Sequence, residues 1–384
     1  MNLIERTFKG IERRRQKILD GGINSIPSPF IRFSSEFIGV EQQKYYVVTA
    51  NAKVGKTQIT SFLFLYTPLL YAYEHPEQIR VKFFYYPLEE TPEDVTRRFM
   101  SFILNKYKGI RVSPTDLMSS ANKPLSDTVL EALQDEEIKK ILSFYESHVE
   151  FSASRNPTGV NKEVEKYMRD NGTVHWKKVH IKDDITGQLR EVNAFDYYEP
   201  NDPDEYVIVI VDHISLIQPE RSMTLKQSAD KLSEYCVTLR NNYGVIPVIV
   251  QQQTADKEGL DSFKERKLRP DASGLADTKY TSRDCNVLLG LFNPFKYELP
   301  EYMGYDITKL RGNARFLEVI LNRGGVCGGL IGLYFDGETC TFAELPRPTE
   351  TQQLLKVYAF IKSLKEKKSS VFLLLHSIKK KFRK

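Results

Sequence analysis

The chain has 384 residues, 41% of them apolar and 11% aromatic, so one large or two medium domains can bury a core. Its net charge of +5 is modest, and its four scattered cysteines contain no CxxC pair, which argues against a zinc site or a disulfide framework and favours a reducing, cytoplasmic compartment. No stretch reaches the ~18 apolar residues of a membrane helix, and the N-terminus lacks a signal-peptide core, so no membrane partner is expected.

Residues 1–21 predict a short charged linker helix that ends at two glycines. Its apolar residues recur at roughly helical spacing among arginines and lysines: Ile4, Phe8, Ile11 and Ile18. Two interpretations stay open. The segment is either a solvated N-terminal helix or a helix that packs on a neighbouring subunit.

The motif that organises the chain lies between a predicted strand, 44–49, and a predicted helix, 56–67, which Pro68 should end or kink. Strand, turn with Gly-Lys-Thr, and helix in this order favour a phosphate-binding loop. Backbone N–H groups and the helix dipole would face the phosphates of ATP, Lys56 would reach the β- and γ-phosphates, and Thr57 would ligate Mg²⁺. The predicted nucleotide-binding residues are Ala50, Asn51, Ala52, Lys53, Val54, Gly55, Lys56, Thr57 and Gln58.

Two acidic positions follow later predicted strands. Glu89 comes after strand 80–86, where the strand meets a helix, and the carboxyl edge of an open α/β sheet is where ligands bind. Asp212 ends the β-branched run 206–211, which is typical of a parallel strand covered on both faces. An acid there, beside a phosphate loop, is typical of Mg²⁺ binding in P-loop enzymes. The alternatives are a helix-start acid at Glu89 and a turn-capping Asp212.

The segment between these acids is long, and 172–205 is predicted as an insertion. Residues 176–192 alternate around a turn at 183–187, which predicts a β-hairpin with Trp176 in its packing. Beyond Asp212 the pattern predicts helix 225–243, strand 245–250 and a basic loop at 254–270. A further strand, 286–292, and a late hairpin around a glycine-rich turn follow.

The order of these parts resembles the RecA-like core, and more narrowly the motor domain of DnaB-type replicative DNA helicases. That family carries a phosphate loop that begins with alanine, so Ala50 is a point of agreement. The resemblance covers about residues 22–345 and rests on motifs at 50–57, 87–90, 209–216, 247–253, 269–288 and 321–325. It implies an α/β P-loop NTPase core with a mostly parallel sheet, helices on both faces, and an inserted and a late β-hairpin, in a main domain at 22–348.

The resemblance also implies roles for individual residues. Glu89 would polarise the attacking water, and Gln253, or Gln252 given the register, would sense the γ-phosphate. Arg323 would act as an arginine finger on the ATP of the adjacent subunit, which is worth ~10³–10⁵ in rate in such enzymes. DNA would contact loops within 254–282, and the predicted contact residues are Lys279, Lys257, Lys264 and Arg266. Each role has a structural alternative. For the glutamines, the alternative is that they simply form the polar end of a strand. For Arg323, it is a place in a turn or a pair with a surface acid, and for the loop cations, it is a solvated face.

The sequence departs from the family at several positions. Leu321 stands where the family has a lysine before the finger, and Lys279 stands where it has a glycine. The family's N-terminal helical domain, which organises primase binding, has no counterpart in the sequence. Residues 350–384 carry ten Lys or Arg against two Glu, a local net charge of +8. The tail, 349–384, is either a disordered solubilising end or a nucleic-acid contact.

The leading hypothesis is an ATP-driven helicase motor that moves along single-stranded DNA in a ring, which the resemblance implies to be hexameric. Its partners would be single-stranded DNA, further copies of the chain, and a primase or helicase loader, and its divergence suggests a bacteriophage protein in the host cytoplasm. The first alternative is a RecA/RadA-like recombinase or another DNA-stimulated ATPase. The second is a weakly hydrolysing nucleotide-dependent scaffold or loader, which Leu321 motivates.

Overall fold

A computed structural model describes residues 2–120, 123–182, 188–258 and 268–364. The strands are β1 (Ser25–Pro27), β2 (Gly39–Glu41), β3 (Tyr46–Ala50), β4 (Arg80–Pro87), β5 (Val149–Phe151), β6 (Gly172–Lys182), β7 (Leu189–Pro200), β8 (Glu205–Asp212), β9 (Ile246–Gln252), β10 (Val287–Phe292), β11 (Glu301–Tyr302), β12 (Tyr305–Asp306), β13 (Ala314–Asn322), β14 (Leu330–Asp336) and β15 (Thr341–Glu344). The helices are α1 (Leu3–Leu19), α2 (Lys56–Ser61), α3 (Thr67–Glu74), α4 (Pro92–Lys108), α5 (Pro114–Leu117), α6 (Asp127–Leu133), α7 (Glu136–His148), α8 (Pro157–Asp170), α9 (Leu225–Tyr243), α10 (Tyr280–Asp284) and α11 (Ile307–Leu310).

Within the described ranges, nine strands form one sheet in the order β15-β14-β13-β10-β3-β9-β8-β4-β5. The strands from β10 to β5 are parallel, and β13, β14 and β15 add to one side as antiparallel strands. Residues 206–212 of β8 are all buried, and 206–211 are apolar, as expected of a strand that helices cover on both faces. The predicted α/β class and its mostly parallel sheet are therefore confirmed.

Each face of the sheet carries its own core. On one face, apolar side chains of α2, α3, α4 and α7 pack against alternate residues of β3, β4 and β8. On the other face, α8 and α9 pack against the intervening residues. Helix α9 shows why these helices form where they do. It begins with a capping box between Thr224 and Gln227 and ends at Gly244, whose φ of 77° suits glycine.

Pro68 was predicted to end or kink the first core helix, and the structure shows that it does not end it. The helical backbone continues from α2 through a π-helical turn at Phe62–Tyr66 and into α3. Pro68 lies in the first turn of α3, where the missing N–H of a proline costs no helical hydrogen bond. The wide turn leaves the Phe62 carbonyl to accept a hydrogen bond of 2.7 Å from the Thr67 hydroxyl.

Both predicted hairpins are present. Strands β6 and β7 form a separate antiparallel sheet from the Gly172–Pro200 pair to the Lys182–Leu189 pair, and the predicted turn at 183–187 lies outside the described residues. Helix α1 lies against the base of this hairpin, since Arg6 pairs with Asp196 at 3.1 Å. Strands β13 and β14 form the late hairpin.

The chain is helical again at 351–364, where Leu354 and Ile361 are buried against the antiparallel part of the sheet. Most of the predicted basic tail, 365–384, lies outside the described residues. None of the described helices combines the length and the apolar character needed to cross a membrane.

Candidate functional site

The phosphate loop, 51–55, connects the end of β3 to the start of α2. Gly55 precedes the helix with φ 109° and ψ 34°, a left-handed conformation that glycine adopts without strain. Helix α2 therefore starts at Lys56 with its free N–H groups at the carboxyl edge of the sheet, where an anion is favoured. The predicted strand, loop and helix are all present.

The loop is held by contacts from distant parts of the chain. The Nε of Arg315 donates to the Val54 carbonyl at 2.6 Å, and the Nζ of Lys296 donates to the Ala52 carbonyl at 2.8 Å. The Nδ2 of Asn51 donates to the Leu268 carbonyl at 3.1 Å. The residues after β10 and at the start of β13 thus fix the shape of the loop.

Thr57 and Asp212 face each other across this edge. The Thr57 side chain lies close enough to the Asp212 carboxylate to lower its pKa, and the Tyr85 hydroxyl donates to Oδ2 of Asp212 at 3.2 Å. Asp212 is 4% exposed, and its Oδ1 has no hydrogen-bond partner among the described residues. A buried carboxylate oxygen with unused acceptor capacity, beside a hydroxyl, fits the oxygen ligands that Mg²⁺ prefers.

The electrostatics of Asp212 agree with this fit. The pKa of its carboxyl group is raised from 3.8 to about 6, chiefly by burial and also by the nearby Glu90 carboxylate, while Thr57, Arg98 and Tyr85 oppose the increase. Burial therefore makes the ionised form of this carboxyl group costly. A divalent cation would offset that cost.

The two glutamates after β4 have different environments. Glu90 makes a two-pronged ion pair with Arg98, a residue only 7% exposed, and one of the two bonds measures 2.7 Å. The Glu89 side chain is 58% exposed, and its Oε2 lies 3.6 Å from Nε2 of His213. Burial lowers the pKa of His213, which favours the neutral imidazole. Glu89 is therefore the carboxylate that can reach solvent or substrate.

The glutamines at the end of β9 point in alternating directions. Gln253 is 3% exposed, and its Nε2 donates to the Thr49 hydroxyl at 2.9 Å and to the Asp271 carbonyl at 3.0 Å. Gln252 pairs in register with Ala50, so its side chain lies on the other face of the sheet from that of Gln253, the face that α2 covers. This side chain is partly exposed and makes no hydrogen bond with any described residue. Gln252 thus has its amide available near the phosphate loop.

Arg323 lies at the other edge of the sheet. It follows β13, which runs antiparallel to β10, so it sits beside the amino ends of β10 and β3. The residue is exposed, and its Nε donates to the Cys285 carbonyl at 2.9 Å. The structure does not bring Arg323 to the phosphate loop of its own chain.

The predicted DNA-contacting residues are only partly described. Lys279 is exposed in the segment after β9, and its Nζ donates to the carbonyls of Ser273 and Leu275, the latter at 2.9 Å. Lys257 lies in a 3₁₀ turn at Ala255–Glu258. Lys264 and Arg266 lie outside the described residues. In the structure, Lys279 stabilises its own loop.

The sequence interpretation missed several residues around the site. Two of them are buried arginines: Arg315 donates to the phosphate loop, and Arg98 pairs with Glu90. The third is Tyr85, which donates to Asp212. Gln251 donates to the Thr278 carbonyl at 2.9 Å and so ties β9 to the segment that carries Lys279. One signal was available, because Arg315 is a charge among the apolar residues that begin β13.

The sheet order and the phosphate loop define a RecA-like P-loop fold. Among solved structures, the chain is similar to the ATPase domain of a phage DnaB-like helicase, with a TM-score of 0.61 and 14% identity over 90% of this chain and 100% of that chain. It is also similar to a DnaB-like replicative helicase studied for its interactions with primase, with a TM-score of 0.60 and 14% identity over 90% of this chain and 68% of that one. Neither a family model nor a curated protein sequence matches the chain.

These likenesses are similarities of fold, because only 14% of the residues are identical. They confirm the resemblance to DnaB-type helicase domains at the level of architecture.

Proposed function

We propose that this chain is the ATPase motor of a ring-forming replicative DNA helicase. The observation that carries the proposal is the convergence of four side chains at one edge of the sheet. Lys56 and Thr57 follow β3, Asp212 ends β8, and Glu89 follows β4. This edge is where ligands bind in open α/β sheets, and the four residues are those that P-loop ATP hydrolysis requires.

Each residue has a separate task in hydrolysis. The N–H groups at the start of α2 and the Lys56 ammonium bind the β- and γ-phosphates of ATP. Thr57 and Asp212 hold Mg²⁺, which when bound neutralises charge on the phosphates. Glu89, free of the ion pair that occupies Glu90, orients a water molecule and accepts its proton. Gln252, whose amide is available, is placed to report the state of the γ-phosphate.

Arg323 supports assembly of more than one copy. Its position at the far edge of the sheet keeps it away from the phosphate loop of its own chain, which supports a role on the ATP of another subunit. Helix α1 supports the same conclusion, since it has no buried residue and presents an exposed apolar stripe. The stripe consists of Ile4, Phe8, Ile11 and Ile18, each more than half exposed. Burying such a stripe against a second copy is favourable, and a hexameric ring would complete every ATP site.

Single-stranded DNA would bind the segments that follow β9, at the ligand-binding edge of the sheet. Gln251 and Gln253 connect these segments to the strands beside the phosphate loop. The cations proposed to contact phosphates are Lys257, Lys264, Arg266 and Lys279. A primase or a helicase loader is a further proposed partner, since such proteins act with ring helicases.

The direct test combines ATP turnover with imaging. We expect Mg²⁺-dependent ATP hydrolysis that single-stranded DNA stimulates and that Lys56→Ala abolishes, with closed rings in electron micrographs when an ATP analogue is present. Filaments on DNA would instead indicate a recombinase. Tight ATP binding with negligible hydrolysis, even with DNA, would indicate a scaffold or loader. DNA-independent turnover without rings would contradict the proposal.

A further inference from the structure

Arg315 is the second residue of β13, and it is 6% exposed. Its guanidinium makes three hydrogen bonds to backbone carbonyls: Nε to Val54 at 2.6 Å, and Nη1 to Gly312 and Ala314 at 2.8 Å each. It also lies 4.9 Å from the centre of the Phe335 ring. The side chain is thus fixed between its own strand and the phosphate loop.

The charge of Arg315 has an unusual environment. Among the described residues no carboxylate pairs with it, whereas Arg98, the other buried arginine beside the site, has Glu90. Burial lowers the pKa of Arg315 to about 10, which reflects the cost of keeping this cation away from water. A buried cation without an anionic partner is expensive, so its presence points to an anion that binds close by.

The contact with Val54 also sets the direction of a neighbouring group. A trans peptide plane places its C=O and its N–H on opposite sides. Because the Val54 carbonyl is held toward Arg315, the N–H of Gly55 points the other way, into the loop. Nε of Arg315 lies 3.9 Å from where a Cβ on Gly55 would be, so the cation is directly behind this peptide.

We propose that Arg315 is a positioning residue for the phosphates of the bound nucleotide. Its hydrogen bond orients the Val54–Gly55 peptide toward the β-phosphate, and the phosphates supply the negative charge that balances the guanidinium. The inference rests on the proposed function, because it requires that the loop binds a nucleoside di- or triphosphate. It adds a second cation, behind the loop, to the Lys56 ammonium in front of it.

The test measures dissociation constants of Mg²⁺ with fluorescently labelled ADP for the wild type, Arg315→Met and Arg315→Lys, at several salt concentrations. Lys309→Met is the control, since it removes an exposed cation near the start of the same strand, whose ion pair is with Asp306. The unfolding midpoint of each variant is measured without nucleotide. Binding of labelled ADP separates this inference from questions of hydrolysis or DNA.

We expect Arg315→Met to bind ADP at least about tenfold more weakly, as loss of a charge-assisted hydrogen bond predicts, and to show a shallower dependence of affinity on salt. Arg315→Lys keeps the charge but lacks the guanidinium fork, so its affinity for ADP should lie between those of the wild type and Arg315→Met. Lys309→Met should bind like the wild type. The loss of ADP affinity in Arg315→Met should be larger than the loss expected from any fall in its unfolding midpoint without nucleotide.

Other outcomes overturn the inference in distinguishable ways. If the wild type binds ADP and both Arg315 variants bind within about twofold of it, Arg315 has no role in phosphate binding, and the proposed function stands. The same conclusion follows if affinity falls only in proportion to lost folding. If Arg315→Met does not fold, Arg315→Lys decides, since wild-type affinity and salt dependence there would exclude the positioning role. A wild type that binds no nucleotide overturns both proposals.

Discussion

Arg315 and Arg323 lie eight residues apart on one run of chain, at opposite edges of the central sheet. Arg315, at the start of β13, contacts the phosphate loop, whereas Arg323 follows the end of the strand. At ~3.3 Å per strand residue, their backbones are separated by about 26 Å. Arg323 is therefore out of reach of the phosphate loop of its own chain, and in the proposed ring it would serve the ATP of the next subunit.

The two glutamates after β4 should respond differently to the same substitution. Glu89→Gln should fold normally and bind ATP, and its turnover should fall about 10²–10⁴-fold, because a group that orients and deprotonates water is lost. Glu90→Gln should lower the free energy of unfolding by about 2 kcal/mol, since it leaves the Arg98 guanidinium buried without its carboxylate. Urea unfolding and steady-state ATPase assays on both variants measure these effects.

This pair contains its own control. If Glu90→Gln abolishes turnover at full stability while Glu89→Gln hydrolyses ATP normally, then the two roles are reversed.

Asp212 should make stability depend on pH in the absence of metal. Its pKa is raised to about 6, so the folded state holds the proton more tightly than the unfolded state. The stability contributed by this group is therefore fully present below about pH 4 and lost as the pH rises through about 6. Above that range, the ionised carboxylate costs on the order of 3 kcal/mol, because each pKa unit corresponds to ~1.4 kcal/mol.

Asp212→Asn removes that ionisation. In EDTA, the variant should be more stable than the wild type at pH 8, and the difference should shrink toward zero at pH 4. Urea unfolding midpoints at the two pH values check this. An equal difference at both pH values would show that the effect does not come from the charge of Asp212.

The glutamines at the end of β9 should separate stability from function. Gln253→Ala should destabilise the fold by about 1–3 kcal/mol, because it leaves the buried Thr49 hydroxyl and the Asp271 carbonyl without their donor. Gln252→Ala should change stability by less than about 0.5 kcal/mol and should reduce the stimulation of ATP turnover by DNA. Thermal unfolding and DNA titrations distinguish the two, and equal stimulation in Gln252→Ala and the wild type would argue against a signalling role.

The phosphate loop and the strand-end acids could be predicted because their chemistry is local. Gly55, Lys56 and Thr57 are adjacent in sequence, and the apolar run before Asp212 identifies a covered strand without any knowledge of its neighbours. The inserted hairpin could be predicted for the same reason, because apolar and polar residues alternate on both sides of a turn in 176–192. The order of these motifs along the chain then predicted a RecA-like core.

The rest depends on three-dimensional contacts that the sequence does not show. Glu89 and Glu90 look alike in sequence, and only the folded structure shows that Arg98, in α4, pairs with Glu90 and leaves Glu89 exposed. The choice between Gln252 and Gln253 depends on the exact strand register, which a run of three glutamines does not reveal. Arg315 contacts a carbonyl 261 residues earlier in the chain, so its role becomes visible only once the fold is known.

In the proposed ring, each ATP site is shared between two subunits, and an experiment that mixes two inactive variants tests this sharing. Glu89→Gln lacks the residue proposed to activate water, and Arg323→Ala lacks the residue proposed to act on the neighbouring subunit. In mixed assemblies with single-stranded DNA, the Arg323→Ala subunit keeps Glu89 and receives Arg323 from an adjacent Glu89→Gln subunit. Random mixing in equal amounts should restore about a quarter of the wild-type ATP turnover per site, since a finger that acts in trans completes that fraction of interfaces. Turnover that stays at the level of the separate variants, or full activity of Arg323→Ala alone, would contradict the shared site.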